Sequence, residues 1–186
     1  MAVLAVAGVH VLALPTPATP RRDAARLIVR QALRAELARL LAVEEERIDL
    51  ICAPGLPIRL APPWERVGIS VSHEPGLSLA AIKLDGAVGI DLMRLAGPLT
   101  DIATLARDYL GPLASLAIAR QPAARQQLAF ARAWTRLEAS LKCLALPLGE
   151  WTPELAARLA TCVCEDLVMA DGWVAAVATR RTGAQT

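Results

Sequence analysis

The segment from residue 67 to residue 92 constrains the chain more than any other. Three strand-length stretches, 67–73, 77–84 and 87–92, are separated by Pro75-Gly76 and Asp85-Gly86, dipeptides that turn the chain back on itself. A set of antiparallel strands is the expected outcome. Their ends carry residues that an apolar sheet should reject: Ser72-His73-Glu74 closes the first strand, and Asp91 interrupts the third. A carboxylate buried without a partner is costly, so a cation, either a side chain or a metal ion, should face Asp91.

Elsewhere the pattern alternates between strand and helix. The amino-terminal run "MAVLAVAGVHVLALPTPATP" has no Lys or Arg ahead of its apolar stretch and is too short to span a bilayer. It reads as a buried first strand, with His10 a tolerated edge or core histidine. Thr19 and Pro20 supply a cap and first position for a helix reaching about residue 42, with Leu27, Ile28, Leu33, Leu37 and Leu40 on the apolar face. Arg22, Arg26, Arg30 and Arg34 lie on the other face, where a solvated charged surface is the ordinary expectation. Short strands follow near 48–52 and 58–60. Beyond Gly97-Pro98 the periodicity predicts helices at 99–109, 112–120 and 123–146, then strands at 161–169 and 173–179 joined by Asp171-Gly172. Each half offers a helix with antiparallel strands, so the fold class is α+β in two lobes, residues 1–96 and 97–186.

Composition narrows the function. The chain has 186 residues, 55% of them hydrophobic, enough for a sizeable core. A net charge of +2, and six aromatic residues not interleaved with a basic cluster, argue against nucleic acid as the partner. Cys52, Cys143, Cys162 and Cys164 lack the spacing of a zinc site and read as small buried residues in a reducing cytoplasm. Of 20 basic residues only Lys83 and Lys142 are lysines.

In "FARAWTRLEASLK", Phe130, Trp134, Glu138 and Lys142 recur every fourth residue and share one helical stripe. Taken alone, Glu138 and Lys142 are an exposed ion pair of about 0.3–0.5 kcal/mol. Taken with "SVSHEPGLSLAAIK" and "VGIDLM", the segment resembles the signature of the 4′-phosphopantetheinyl transferases, SxSH, GID and WxxKExxxK in that order. The likeness is to the long, monomeric, surfactin-synthetase-activating type. It extends upstream to "DAAR" at Asp23 to Arg26 and "GLP" at Gly55 to Pro57, and covers about residues 21 to 150.

The resemblance implies two pseudo-duplicated lobes with coenzyme A and Mg2+ in the cleft between them. It implies transfer of the phosphopantetheine arm from coenzyme A to a serine of an apo acyl carrier protein in the cytoplasm, with release of 3′,5′-ADP. By family position Asp91 and Glu138 are metal ligands, Glu138 is also the base, and Lys142 steadies the phosphates or the leaving group. Arg26, Gly55, Pro57, Ser72 and His73 fall where the family contacts coenzyme A. Arg120, Arg125, Arg132 and Arg136 offer a surface to the acidic helix of a carrier protein. Neither nucleic acid nor membrane is implied as a partner, and two lobes in one chain imply a monomer.

Four positions depart from the pattern. Met93 stands where an acid usually follows the GID aspartate, and Glu74, just after Ser-His, is the residue expected to compensate as third oxygen ligand. Leu56 and Leu137 replace lysines, and Ala114 stands near where many members have a glutamate. These departures motivate an alternative, a weak relative that binds coenzyme A or a carrier protein without efficient transfer.

Overall fold

The computed structural model describes residues 2–6, 8–19, 22–53 and 56–181. It is α+β, with helices packed on antiparallel sheets. The amino-terminal run is not one strand but two, β1 (Ala2–Val6) and β2 (Val9–Pro15), paired in register from Val6↔Val9 to Ala2↔Ala13. Gly8, at φ +72°, makes the reversal possible. β2 then pairs with β6 (Leu77–Lys83), which pairs with β5 (Gly68–Glu74), giving a four-stranded sheet ordered β1-β2-β6-β5. A small ribbon, β3 (Leu50–Ile51) with β4 (Arg59–Leu60), stands beside it.

The strand after the Asp85-Gly86 turn leaves this sheet. β7 (Val88–Arg94) bonds to β9 (Trp173–Arg180), whose other neighbour is β8 (Cys162–Leu167). The change of sheet therefore falls between Lys83 and Val88, one strand ahead of the Gly97-Pro98 break.

Side-chain parity turns these two sheets into four layers. Leu12, Leu14, Ala80, Ile82 and Ile69 face α1 (Asp23–Leu41), whose Val29, Leu33 and Leu37 are buried against them. The alternate residues Val9, Val11, Leu79 and Ala81 meet Val88, Ile90, Leu92, Ala175 and Val177 of the second sheet. The far face of that sheet, Ala176 and Ala178 with Cys162, packs on Ala139 and Cys143 of α4 (Ala123–Cys143). The order is helix, sheet, sheet, helix, and both strand and helix periods match the burial.

The helices differ in detail from expectation. α1 begins at Asp23, preceded by Arg22 with no side-chain cap, so the expected Thr19 cap is not its start; Pro20 and Arg21 lie outside the described residues. Leu27, expected on the apolar face, is 58% exposed, whereas Ala25 and Glu36 are buried, Glu36 through an ion pair to Arg39 at 2.7 Å. The expected helix at 99–109 is α2 (Ile102–Leu105) running into a wide π turn over Ala106–Leu110, and α3 is Gly111–Ala119. α4 stops at Cys143, short of 146. Ala145 adopts φ +52°, and Leu146 N–H donates to the Leu141 carbonyl at 2.9 Å while Ala145 N–H donates to that of Lys142, which closes the last turn. α5 (Pro153–Leu159) was not expected, although Thr152-Pro153-Glu154 is a helix-start signal and the Thr152 hydroxyl accepts from Leu155 N–H at 3.1 Å.

Candidate active site

β5 and β7 are edge strands of different sheets, and their seam is closed by side chains rather than by backbone pairing. Ser70 Oγ accepts from Ile90 N–H at 3.0 Å, Ser72 Oγ accepts from Leu92 N–H at 3.2 Å, and the Glu74 carboxylate accepts from the backbone of Arg94. The strand period of two puts residues 70, 72 and 74 on one face, opposite the outward N–H groups of residues 90, 92 and 94. Each would otherwise be an unpaired edge donor. The pattern Ser-x-Ser-x-Glu is therefore a ladder, a role that the sequence reading did not assign to it.

The ladder places Asp91 at its middle step and Glu74 at its last. Ser72 Oγ also donates to Asp91 Oδ1 at 2.9 Å, and Asp91 is 8% exposed. The cation required to face Asp91 is Lys142, whose Nζ lies 2.7 Å from Asp91 Oδ1 and donates to the Ile90 carbonyl at 3.0 Å. Lys142 thus does not form an ion pair with Glu138 on the helix surface; it reaches across to β7. Glu138 is half-buried, and burial together with the Asp91 charge raises its carboxyl above the usual range against the opposing pull of Lys142. Burial and Asp91 likewise raise Glu74, opposed by Arg22, the Arg94 backbone bond and the Arg94 charge. Asp91 is thus the charge that both glutamates feel. Among the described residues, however, no three His, Cys, Asp or Glu side chains are drawn together as a ready metal cluster.

Gly89 explains how α4 comes this close. A Cβ at Gly89 would lie 1.8 Å from the Ala139 carbonyl oxygen and 2.6 Å from Cys143 N. Only a residue without a side chain lets the helix sit on β7 and carry Glu138 and Lys142 to Asp91.

His73 points to the opposite face of β5 from the ladder. Its Nδ1 is 2.8 Å from Ser78 Oγ, which is 3.2 Å from Thr16 Oγ1, so buried hydroxyls fix the ring. Burial, then the charges of Arg22, Arg26 and Lys142, push its pKa from the usual 6.5 down to about 4.

His73 and Lys142 open onto a cavity of about 910 Å3 between α1, the β3–β4 ribbon and the end of α4. Arg26, Arg30, Arg59 and Lys142 line it, together with Cys52, Leu56, Pro57, Leu146 and Pro147; among the described lining residues there is no carboxylate. Arg26 and Arg30 thus serve a cavity as well as a solvated face. Cys52, expected to be buried, is exposed in its wall; Cys143 and Cys162 are buried, with burial raising the Cys143 thiol to about 12. Leu56 is 67% exposed there, Gly55 lies outside the described residues, and Ser72 is turned away toward Asp91.

Two of the other departures have clear places. Met93 packs beside Phe130 and Trp134, Leu137 is buried in α4, and the aromatic half of the stripe stacks Phe130 on Trp134 at 5.5 Å with Tyr109 edge-on at 5.7 Å. Of the four arginines expected to form a surface, Arg136 is bound to Asp166 by two bonds of 2.7 and 2.9 Å, while Arg120, Arg125 and Arg132 are exposed.

The α+β fold thus sets a cleft lined by four cations beside the carboxylates of Asp91, Glu138 and Glu74. Residues 87–162 match the family model of the 4′-phosphopantetheinyl transferase superfamily. The matched segment holds Asp91, Glu138 and Lys142, with the strand, the helix and the close approach at Gly89 that unite them. No curated protein matches the chain. No described helix is long and apolar enough to cross a membrane.

Proposed function

We propose that the chain transfers the 4′-phosphopantetheine arm of coenzyme A to a serine of an apo carrier protein, releasing 3′,5′-ADP. The observation that carries this reading is the cavity itself: four cationic side chains and no described acid, ending at the lysine that holds Asp91. Such a lining suits a polyanion such as a nucleotide bearing several phosphates. The family match of residues 87–162 supports the reaction class.

In this reading Arg26, Arg30 and Arg59 neutralise the nucleotide phosphates. His73 offers Nε2 to them from a ring held by Ser78, and Pro57 shapes the wall. Ser72 acts on β7 by holding Asp91 rather than by touching the nucleotide. Asp91, Glu138 and Glu74 would hold Mg2+, and their chemistry fits: all three offer hard carboxylate oxygens, and burial first, then the Asp91 charge, raises the carboxyls of Glu138 and Glu74. When bound, the ion supplies charge neutralisation at the diphosphate. Glu138 takes the proton from the carrier serine hydroxyl, a task that suits a carboxylate whose basicity burial and the Asp91 charge raise. Lys142 stabilises the charge left on the departing 3′,5′-ADP phosphate. The two sheet-and-helix halves, α1 on β1-β2-β6-β5 and α4 on β7-β9-β8, are the related lobes of this reading, the first within residues 1–96 and the second made of residues 97–186 together with β7 from the end of the first division. The α1-and-sheet half that packs against the matched segment favours the long single-chain type, and a monomer acting in the cytoplasm belongs to the same reading.

A second reading is favoured by Met93, which faces an apolar cluster, and by the burial of Leu137: binding of coenzyme A without efficient transfer. Incubation with coenzyme A, magnesium and apo carrier protein, followed by weighing the carrier, separates the two. Addition of the phosphopantetheine arm is expected, and Asp91→Asn and Glu138→Gln should each lower the rate at least about a hundredfold, or about 2.7 kcal/mol of barrier. Carriers that stay apo across fatty-acid and polyketide types would leave the binding reading.

A further inference from the structure

Lys142 does something that its proposed role at the leaving group does not require. Although Lys142 lines the cavity, its ammonium is gathered onto β7, held at 2.7 Å by Asp91 Oδ1 and at 3.0 Å by the Ile90 carbonyl. Both oxygens belong to the wall where the proposed ion would bind. We infer that Lys142 is a counter-ion that takes the divalent cation's place on Asp91, so that metal binding requires its displacement into the adjoining cavity. The inference rests on the metal reading given above.

Geometry and charge both argue for displacement. A single oxygen, Oδ1, receives Ser72 and Lys142. A dication on the same carboxylate would stand within a few ångströms of the ammonium, and like charges at that separation repel strongly in a partly buried site. The lysine has somewhere to go. It already lines the cavity that holds Arg26 and His73, and its four-carbon stem is anchored on α4 one turn beyond Glu138. An anion arriving in the cavity would give the ammonium a second partner and leave Asp91 to the ion, so the two ligands should bind with positive coupling.

The test is manganese binding by the full chain without nucleotide, followed by the paramagnetic resonance of free Mn2+. Lys142→Met and Lys142→Gln, the latter keeping a donor for the Ile90 carbonyl, should each bind Mn2+ at least tenfold tighter than the unmodified chain. Arg26→Met, which removes a cation from the same cavity but not from Asp91, should change affinity by less than about threefold. Thermal unfolding of each variant establishes that it is folded. Unchanged or weaker binding in both Lys142 variants, or equal tightening by Arg26→Met, overturns the inference. Asp91→Asn in the Lys142→Met chain separates the layers: if it abolishes Mn2+ binding while Lys142→Met matches the unmodified chain, only the counter-ion role falls. If it leaves binding intact, or no variant binds manganese, the metal reading itself falls and takes the inference with it.

Discussion

Replacing Gly89 by alanine probes the joint between fold and site with one methyl group. The new Cβ would sit 1.8 Å from the Ala139 carbonyl oxygen, about 1.6 Å inside the 3.4 Å at which ordinary contact begins, and 2.6 Å from Cys143 N. Both opposing atoms are helix backbone, so no rotamer change relieves the clash. α4 must move away from β7, opening the layer formed by Ala139, Cys143, Ala176 and Ala178. Overpacking of a core costs about 1–3 kcal/mol where side chains can yield; with backbone on both sides about 3 kcal/mol or more is expected. For a chain of this size that lowers Tm by roughly 6–12 °C. Retreat of the helix also draws Lys142 off Asp91, because the 2.7 Å bond spans the same gap. The assay is thermal and urea unfolding beside Gly149→Ala, where a Cβ meets nothing within 4 Å and the change should stay within about 0.5 kcal/mol. A Gly89→Ala protein that melts within 2 °C or so of the unmodified chain would refute the claim that close approach at this residue seats α4.

Further expectations concern the seam and its charges. Ser72→Ala leaves Leu92 N–H without its acceptor and removes one of the two donors to Asp91 Oδ1, Lys142 being the other, and should cost about 1–3 kcal/mol in urea unfolding, more than Ser70→Ala, which removes one bond; equal costs would argue against a double role for Ser72. Between pH 6.5 and about 4 the unfolded chain takes up a proton at His73 that the folded ring refuses, so stability contributed by the neutral ring is present above that window and is lost as pH falls through it. His73→Gln should flatten the decline of the unfolding midpoint between pH 7 and pH 5, and an unaltered slope would count against a buried ring facing Arg22, Arg26 and Lys142. Glu74→Ala should raise the magnesium needed for half-maximal transfer, and an unshifted magnesium curve would confine Glu74 to its bond with Arg94.

Much of this architecture can be read locally, because turn dipeptides and helix stripes are written in neighbouring residues. Pro75-Gly76 and Asp171-Gly172 mark real reversals, and the four-residue spacing of Phe130, Trp134, Glu138 and Lys142 maps onto one face of α4. What escapes the sequence is non-local pairing. Asp85-Gly86 looks like another hairpin turn, yet it passes the chain from one sheet to the next, since nothing near residue 86 records that Val88–Arg94 will find Trp173–Arg180. Likewise Ser70, Ser72 and Glu74 look like a polar strand end until their partners, the N–H groups of residues 90, 92 and 94, are known. Arg26 and Arg30 look like solvated charges for the same reason: the cavity that they line is completed by residues 142–147, far along the chain.

The account depends on carboxylates from β7 and α4 sharing one divalent ion that gathers the diphosphate of coenzyme A. Crystals grown with Mn2+ and coenzyme A, with data collected near the manganese absorption edge, measure this directly. One anomalous peak is predicted about 2.1 Å from carboxylate oxygens of both Asp91 and Glu138, with the nucleotide phosphates toward Arg26 and His73 and Lys142 turned off Asp91. A peak elsewhere, or a nucleotide seated in the cleft with the Lys142–Asp91 bond intact and no ion between the two acids, would contradict it.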